Sequence, residues 1–285
     1  MIKNSKQVEG DFSVGIIGCG WLGKALAASL LDKNISVLAT SSKLENIDKL
    51  TQQSIIAQQL ILPADINQLA LHDVFTKQCI VIAITPQFKQ GRTDYANKVS
   101  QLVDAAKKRN LVQRIILLSS TAIYGGLEGI VDEESVINMT AEKVQILYAA
   151  EQAVLNFSPQ GAVLRLAGLV GPERHPGKFI LANRTLSNSS APVNLIHQQD
   201  AVGLIESLLQ DKSSVGVFNG VCDTHVSKQK YYQAAAKALK LDPPIFAQES
   251  HTQEKTNETT RVVSGEKVKQ DLNYKFIYPD LLTWL

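Results

Sequence analysis

The sequence has little that would staple it, anchor it or charge it. Among 285 residues there are three cysteines, Cys19, Cys79 and Cys222. Their odd number and wide separation exclude a disulfide framework. No two of them share the spacing of metal ligands, so no metal site is expected. That usage reads as a reducing compartment. No run approaches the roughly 18 uninterrupted apolar residues of a membrane helix. Residues 1–11 are polar with mixed charge and carry no signal-peptide core, and the apolar run 25–31 follows a glycine-rich turn instead. An excess of one charge is missing as well: 29 basic residues stand against 27 acidic ones, a net +2. Neither nucleic acid nor an anionic membrane then has a net attraction to act on, and neither is expected as a partner. The expectation is a cytoplasmic protein.

What is present is core material in a regular rhythm. Hydrophobic residues are 45% and charged residues 20% of the chain, ordinary for a globular protein. After a loose leader at 1–10, short apolar runs at 12–17, 35–40, 55–62, 80–84, 114–119 and 163–166 read as strands. Helical spacing separates several of them, at 21–31 and at 95–108, where Val99, Leu102, Val103 and Ala106 share one face. Strands that are continuously apolar rather than alternating are covered on both faces. The prediction is an α/β fold with a doubly wound parallel sheet over 11–166. Past 167, glycine and proline become frequent (Gly168, Gly171, Pro172, Pro176, Gly177) and helices are expected at 200–209 and 228–239. Residues 167–285 read as a smaller, dependent substrate lobe, with the ligand site in the cleft between.

The first strand runs into Gly18-Cys19-Gly20-Trp21-Leu22-Gly23 and then into a helix. In that context a GxGxxG binds a dinucleotide. Gly18 permits the turn, Gly20 lets backbone approach a pyrophosphate, and Gly23 brings helix and strand together. The helix N-terminus at Trp21, Leu22 and Gly23 offers free N–H groups. The sheet is thus expected to be Rossmann-type. The second strand ends Thr40-Ser41-Ser42-Lys43, where NAD sites usually carry an acid. Hydroxyls and an ammonium suit a 2′-phosphate, which favours NADP over NAD; the alternative is a plain turn with a solvated lysine. Asp65 either approaches the adenine or caps a helix from 66. Ala83, Thr85 and Pro86 are small residues at a strand end that leave room for cofactor.

The fifth strand ends Ser119-Ser120-Thr121-Ala122-Ile123-Tyr124-Gly125. With the glycine turn, Ser-Ser-x-x-x-Tyr-Gly resembles the extended short-chain dehydrogenase/reductase superfamily of nucleotide-sugar epimerases, dehydratases and reductases. It also argues against a hydroxyacid or prephenate dehydrogenase. The runs Val163 to Pro172 and Val193 to Asp200 extend the resemblance over nearly the whole chain. Gly-Cys-Gly-Trp-Leu-Gly, Arg-Leu-Ala-Gly-Leu-Val-Gly-Pro-x-Arg-His-Pro-Gly and Tyr278-Pro279-Asp280 look like the YeeZ-type subgroup. The resemblance implies an NAD(P)-dependent enzyme with a small-molecule, nucleotide-linked substrate. It also implies a homodimer through helices near 95–108 and 141–157.

One hallmark is missing. The superfamily's chemistry rests on Tyr-x-x-x-Lys, whose lysine lowers the tyrosine pKa. No tyrosine here is followed four residues on by lysine. Aligning on Tyr148 turns the lysine into Gln152. Aligning on Glu151 puts Lys143 at the tyrosine position and Leu147 at the lysine position. The second register is preferred, and it makes Tyr148 a core aromatic. Ser120 matches the superfamily's catalytic hydroxyl, or simply satisfies backbone at a strand end. Ser120, Tyr124 and Lys143 are the catalytic candidates, Lys143 being otherwise solvated. Arg165, Arg174, His175 and Lys178 are candidates for an anionic substrate; otherwise Arg165 braces the lobe junction and the rest are solvated. His197 with Asp200 reads as a structural pair or a helix cap. Two functions stay open: an oxidoreductase or epimerase with a non-standard proton donor, and an inactive NADP(H)-binding redox sensor or regulator.

Overall fold

The computed structural model describes residues 12–157, 160–179, 185–247 and 260–285. The leader expected at 1–10 lies outside them. A seven-stranded, all-parallel sheet organises the chain, in the order β10-β7-β5-β4-β1-β2-β3. Its strands are β1 (Ser13–Ile17), β2 (Ser36–Ser41), β3 (Ala57–Gln59), β4 (Cys79–Ile82), β5 (Arg114–Ser120), β7 (Gly161–Leu166) and β10 (Gly216–Gly220). Short β6 (Ile130–Val131) pairs with β11 (Val262–Val263), and β8 (Gly168–Val170) pairs with β9 (Leu195–His197). β4 and β7 are buried along their whole length and β5 everywhere but its last residue. Burial on both sides of a pleat explains their apolar runs, at 80–82, 115–118 and 162–164.

Helices supply that cover. α1 (Trp21–Asp32) packs with α6 (Gln198–Gln210), fastened by Ser29 Oγ and Lys33 Nζ on Glu206 at 2.7 and 2.5 Å. α3 (Ile66–Ala70), α4 (Tyr95–Arg109) and α5 (Glu142–Leu155) pack in series as a second group. α2 (Leu44–Thr51) covers β2 and β3 and buries only Leu50. α7 (Lys228–Ala238), α8 (Glu266–Asp271) and α9 (Leu281–Trp284) complete the chain. Val170, Val193, Cys222, Tyr231 and Leu281 form a small second core around them.

The boundary expected at 166 is not a spatial one. β10 returns to pair with β7 over Gly216–Gly220, and α6 packs against α1, so two elements of the later half belong to the large layer. β3 is shorter than its apolar run. Leu60 N still donates to Ser41 O at 3.0 Å, and Leu60, Ile61 and Leu62 then line a cavity. From β1 the chain steps outward one way to β2 and β3, then crosses to β4 on the other side. That reversal between β1 and β4 opens the crevice at the strands' carboxyl ends.

Buried His197 carries a pH signature. Its Nδ1 caps α6 by accepting from Gln199 N at 3.2 Å, while Nε2 has no partner and the ring lies 3.9 Å from that of Tyr278. Asp200 holds the C-terminal segment by accepting from Ile277 N, Tyr278 N and Tyr274 Oη. Burial pushes the His197 imidazole down to about 4. The unfolded chain therefore takes up this proton first, and stability falls as pH drops from the ordinary histidine range towards 4. The full contribution is about 3 kcal/mol. Urea unfolding between pH 7 and 4 should show that loss, and His197→Asn, which keeps a capping acceptor, should flatten the profile. An unchanged profile in the variant would rule out this imidazole as the source.

Candidate functional site

The glycine turn sits at the mouth of the crevice. Gly18 has φ +90°, and an added Cβ would lie 2.8 Å from Ile84 N, so no other residue fits. Cys19 N donates to Thr40 O at 2.8 Å and Gly18 N to Thr40 Oγ1 at 3.3 Å, which fastens the turn to the end of β2. At Gly20 the surroundings reverse: nothing lies within 4 Å of an added Cβ. Gly20 is also the N-cap of α1 and provides no side-chain acceptor, so the first-turn N–H groups of α1 are left for a ligand. Cys19 is buried and its thiol is pushed up to about 12, so it is a packing group.

Two cavities meet at this turn. The first, about 600 Å³, is lined by Thr40, Ser41, Ser42, Lys43, Asn46, Leu60 to Leu62, Gln87, Gln90, Arg92 and Lys98. No carboxylate lines it, while three cations do. Asp94, outside the lining, pairs with Arg92 at 3.5 Å and Lys98 at 2.8 Å. Ser41 Oγ accepts from Lys43 N at 3.2 Å and Asn46 Nδ2 at 3.4 Å, shaping the strand end. Arg92 and Lys98 escaped the sequence reading, because a loop arginine and a helix lysine carry no motif. Asp65 is not in the lining. Its carboxylate caps α3, accepting from Asn67 N at 2.9 Å and Gln68 N at 3.2 Å, so the capping alternative is the one realised.

The second cavity, about 390 Å³, shares Gly18, Gly20, Ala83, Ile84 and Thr85 with the first, so the two are continuous. Its other walls are Trp21, Leu22, Pro86, Tyr95, Leu118, Ser119, Ser120, Leu147, Leu166, Ala167, Leu169 and Arg174. A strap from the later half closes one end. Trp21 Nε1 donates to Pro172 O at 3.0 Å, Gln198 Nε2 donates to Trp21 O at 3.2 Å, and the Arg174 guanidinium lies 4.4 Å above the indole.

Of the three catalytic candidates, only Ser120 lines a cavity. Its Oγ accepts from Ala122 N at 3.1 Å, which leaves its own proton to donate. Tyr124 is a correction. It is fully buried outside both cavities, accepting from Arg165 Nη1 and donating to Asn219 Oδ1, each at 2.8 Å. Burial holds its phenol above the ordinary value, against the opposing pull of Arg165. Lys143 is exposed and lines neither cavity, which matches its solvated alternative. Leu147, one turn on, does line the second cavity. Tyr148 is not a core aromatic. α5 buries Val144, Leu147, Ala150, Glu151 and Val154, and Tyr148 falls past the rim of that arc at 36% exposure.

Arg165 is a second correction. Its guanidinium is spent in the core, on both carboxylate oxygens of Glu151 (2.8 to 3.2 Å) and on Tyr124, and Ser119 Oγ completes the carboxylate at 2.5 Å. Its partners Glu151 and Tyr124 both precede residue 166, so Arg165 braces the core of the large layer. Of the remaining basic cluster only Arg174 reaches a cavity. Lys178 is exposed, and His175 accepts from Gly177 N at 3.1 Å with its ring 5.5 Å from that of Trp284. No helix among the described residues is long and apolar enough to cross a membrane.

The geometry so far is a glycine turn at a parallel-sheet crevice. Residues 14–202 match the family model described as the NAD dependent epimerase/dehydratase family. The chain belongs to that family. Protein YeeZ of Escherichia coli (strain K12) is 30% identical over 274 residues, covering 94% of this chain and 97% of that one. Two solved structures share the fold. UDP-glucose 4-epimerase from Thermotoga maritima, with UDP-glucose, is 13% identical with TM-score 0.75, over 93% of this chain and 94% of that one. The human epimerase family protein SDR39U1 with NADPH is 17% identical with TM-score 0.74, over 95% and 96%. Membership fits the glycine turn and the open face at Gly20, and it makes the chain an NAD(P)-binding, epimerase-like protein. No tyrosine of the sequence is followed four residues on by lysine.

Proposed function

We propose that the protein binds NADP(H) in preference to NAD(H) and acts as an oxidoreductase or epimerase on an anionic small molecule. The observation that carries the cofactor choice is the first cavity, with Lys43, Arg92 and Lys98 in its walls and no carboxylate to repel a 2′-phosphate. Gly20 and the first turn of α1 take the pyrophosphate, and Thr40 to Lys43 take the phosphorylated ribose. When bound, the cofactor supplies the hydride chemistry. Ser120 donates a hydrogen bond to the reacting substrate oxygen. Arg174 has no carboxylate partner within salt-bridge reach among the described residues and pairs with the substrate's anionic group. Leu118, Leu147, Leu166 and Leu169 keep that end dry. The nucleotide sugars in related structures make a diphosphate such an anion.

A second reading has its own support. No Tyr-x-x-x-Lys is present in the sequence, and the phenol that does touch a cation, Tyr124 against Arg165, is buried outside both cavities. The same cofactor site would then serve a redox sensor or regulator.

Fluorescence titration tests both. NADPH should bind more tightly than NADH, and Lys43→Ala should weaken NADPH by about tenfold, one charge-assisted contact, while leaving NADH little changed. Equal losses would remove the phosphate assignment. Turnover of bound NADPH on a panel of nucleotide sugars and small carbonyl compounds separates the enzyme from the sensor.

A further inference from the structure

One polar group in the second cavity is satisfied by nothing in the protein. Tyr95 opens α4, is 1% exposed and lines that cavity with Ser119, Ser120 and Leu147. Its hydroxyl is fully buried and has no hydrogen-bond partner. Such hydroxyls are rare in folded proteins because the lost water is not replaced. Burial and the nearby Glu151 carboxylate both push the phenol up, so it keeps its proton at neutral pH. The polar groups of the Glu151 network are already committed, and Ser120 Oγ is held by Ala122 N. Ser119 and Arg165 are on Glu151, and Tyr124 is on Asn219. Leu147 gives this wall no polar atom.

The two cavities are continuous through the glycine turn. A dinucleotide with its adenosine half in the first must put its nicotinamide half into the second. That half brings ribose hydroxyls and a carboxamide, all able to accept. We infer that the Tyr95 hydroxyl donates a hydrogen bond to the nicotinamide half of the bound dinucleotide. The inference rests on the dinucleotide reading above. It makes Tyr95 a binding residue that neither the glycine turn nor the superfamily motif announces, on a helix whose other buried residues pack in the core.

Calorimetric titration of Tyr95→Phe with two probes tests it. NADPH carries the nicotinamide half, and 2′,5′-ADP lacks it. The variant should bind NADPH about fivefold more weakly, the worth of one neutral hydrogen bond, and 2′,5′-ADP as tightly as the parent. Its Tm without ligand should be unchanged or higher, since an unpaired buried hydroxyl has been removed. Unaltered NADPH affinity would overturn the inference, as would equal losses for both probes or a lowered Tm with binding intact. A parent protein that binds neither probe overturns the dinucleotide reading itself, before any variant is compared.

Discussion

Glu151→Gln should cost about 3–5 kcal/mol of folding stability, because it leaves the buried Arg165 guanidinium without its counter-charge. Glu151 is fully buried on α5, and Arg165 is 4% exposed on β7. The ion pair at 2.8 Å is one link in a chain of side chains. Ser119 at the end of β5 donates to Glu151. Arg165 donates to Tyr124, Tyr124 donates to Asn219 on β10, and Asn219 N donates to Glu133 at 2.6 Å. The network thus spans three strands and α5, directly beneath Ser120. Urea denaturation reads the loss as a lowered midpoint. Replacing both partners, as Glu151→Leu with Arg165→Met, should cost clearly less than the sum of the single changes, since no lone charge is then buried. A loss under about 1 kcal/mol for Glu151→Gln would mean that water already reaches the guanidinium.

Gly20→Val should separate folding from binding. The position is roomy, with nothing within 4 Å of an added Cβ and φ at −90°, so the variant should unfold at nearly the parent's midpoint. That empty space is where a pyrophosphate must come within hydrogen-bond reach of α1. An isopropyl group there should remove at least two charge-assisted contacts, weakening NADPH by about 100-fold or more. Gly18→Ala should do the opposite. Its Cβ meets Ile84 backbone in a left-handed turn, so stability falls first. Retained NADPH binding in Gly20→Val would place the phosphates elsewhere.

The large layer was legible in the sequence because its signals are local. Strands β1, β2, β4, β5 and β7 come from short, mostly apolar runs, and the turn at Gly18 from one motif between a strand and a helix. α2 was not legible, since a helix that buries a single leucine has no apolar stripe to read. β10 was hidden for another reason. Its Asn219 breaks the apolar run, and that asparagine is needed by Tyr124 and Ser264, partners 95 and 45 residues away. Tyr124 and Arg165 misled for the same cause. A phenol and a guanidinium near a strand end look like site chemistry until their partners across the core are known. Tyr95 was passed over because a tyrosine at a helix start gives no sign that its hydroxyl will lack a partner. Arg92 and Lys98 reach the first cavity only through the fold of the loop before α4.

The return of β10 to the far edge of the sheet bears on how this architecture can be re-engineered. The described residues between β7 and β10 leave the sheet, give Ala167, Leu169 and Arg174 to the second cavity and come back to complete the sheet. A gene cut at 166 would therefore yield a fragment with β7 as a bare edge, an open template for unwanted pairing between copies. The later half is not a cassette that can be exchanged for another. New selectivity in this scaffold has to be grafted into segments such as the strap at 171–178, inside a frame whose two ends are already sewn together.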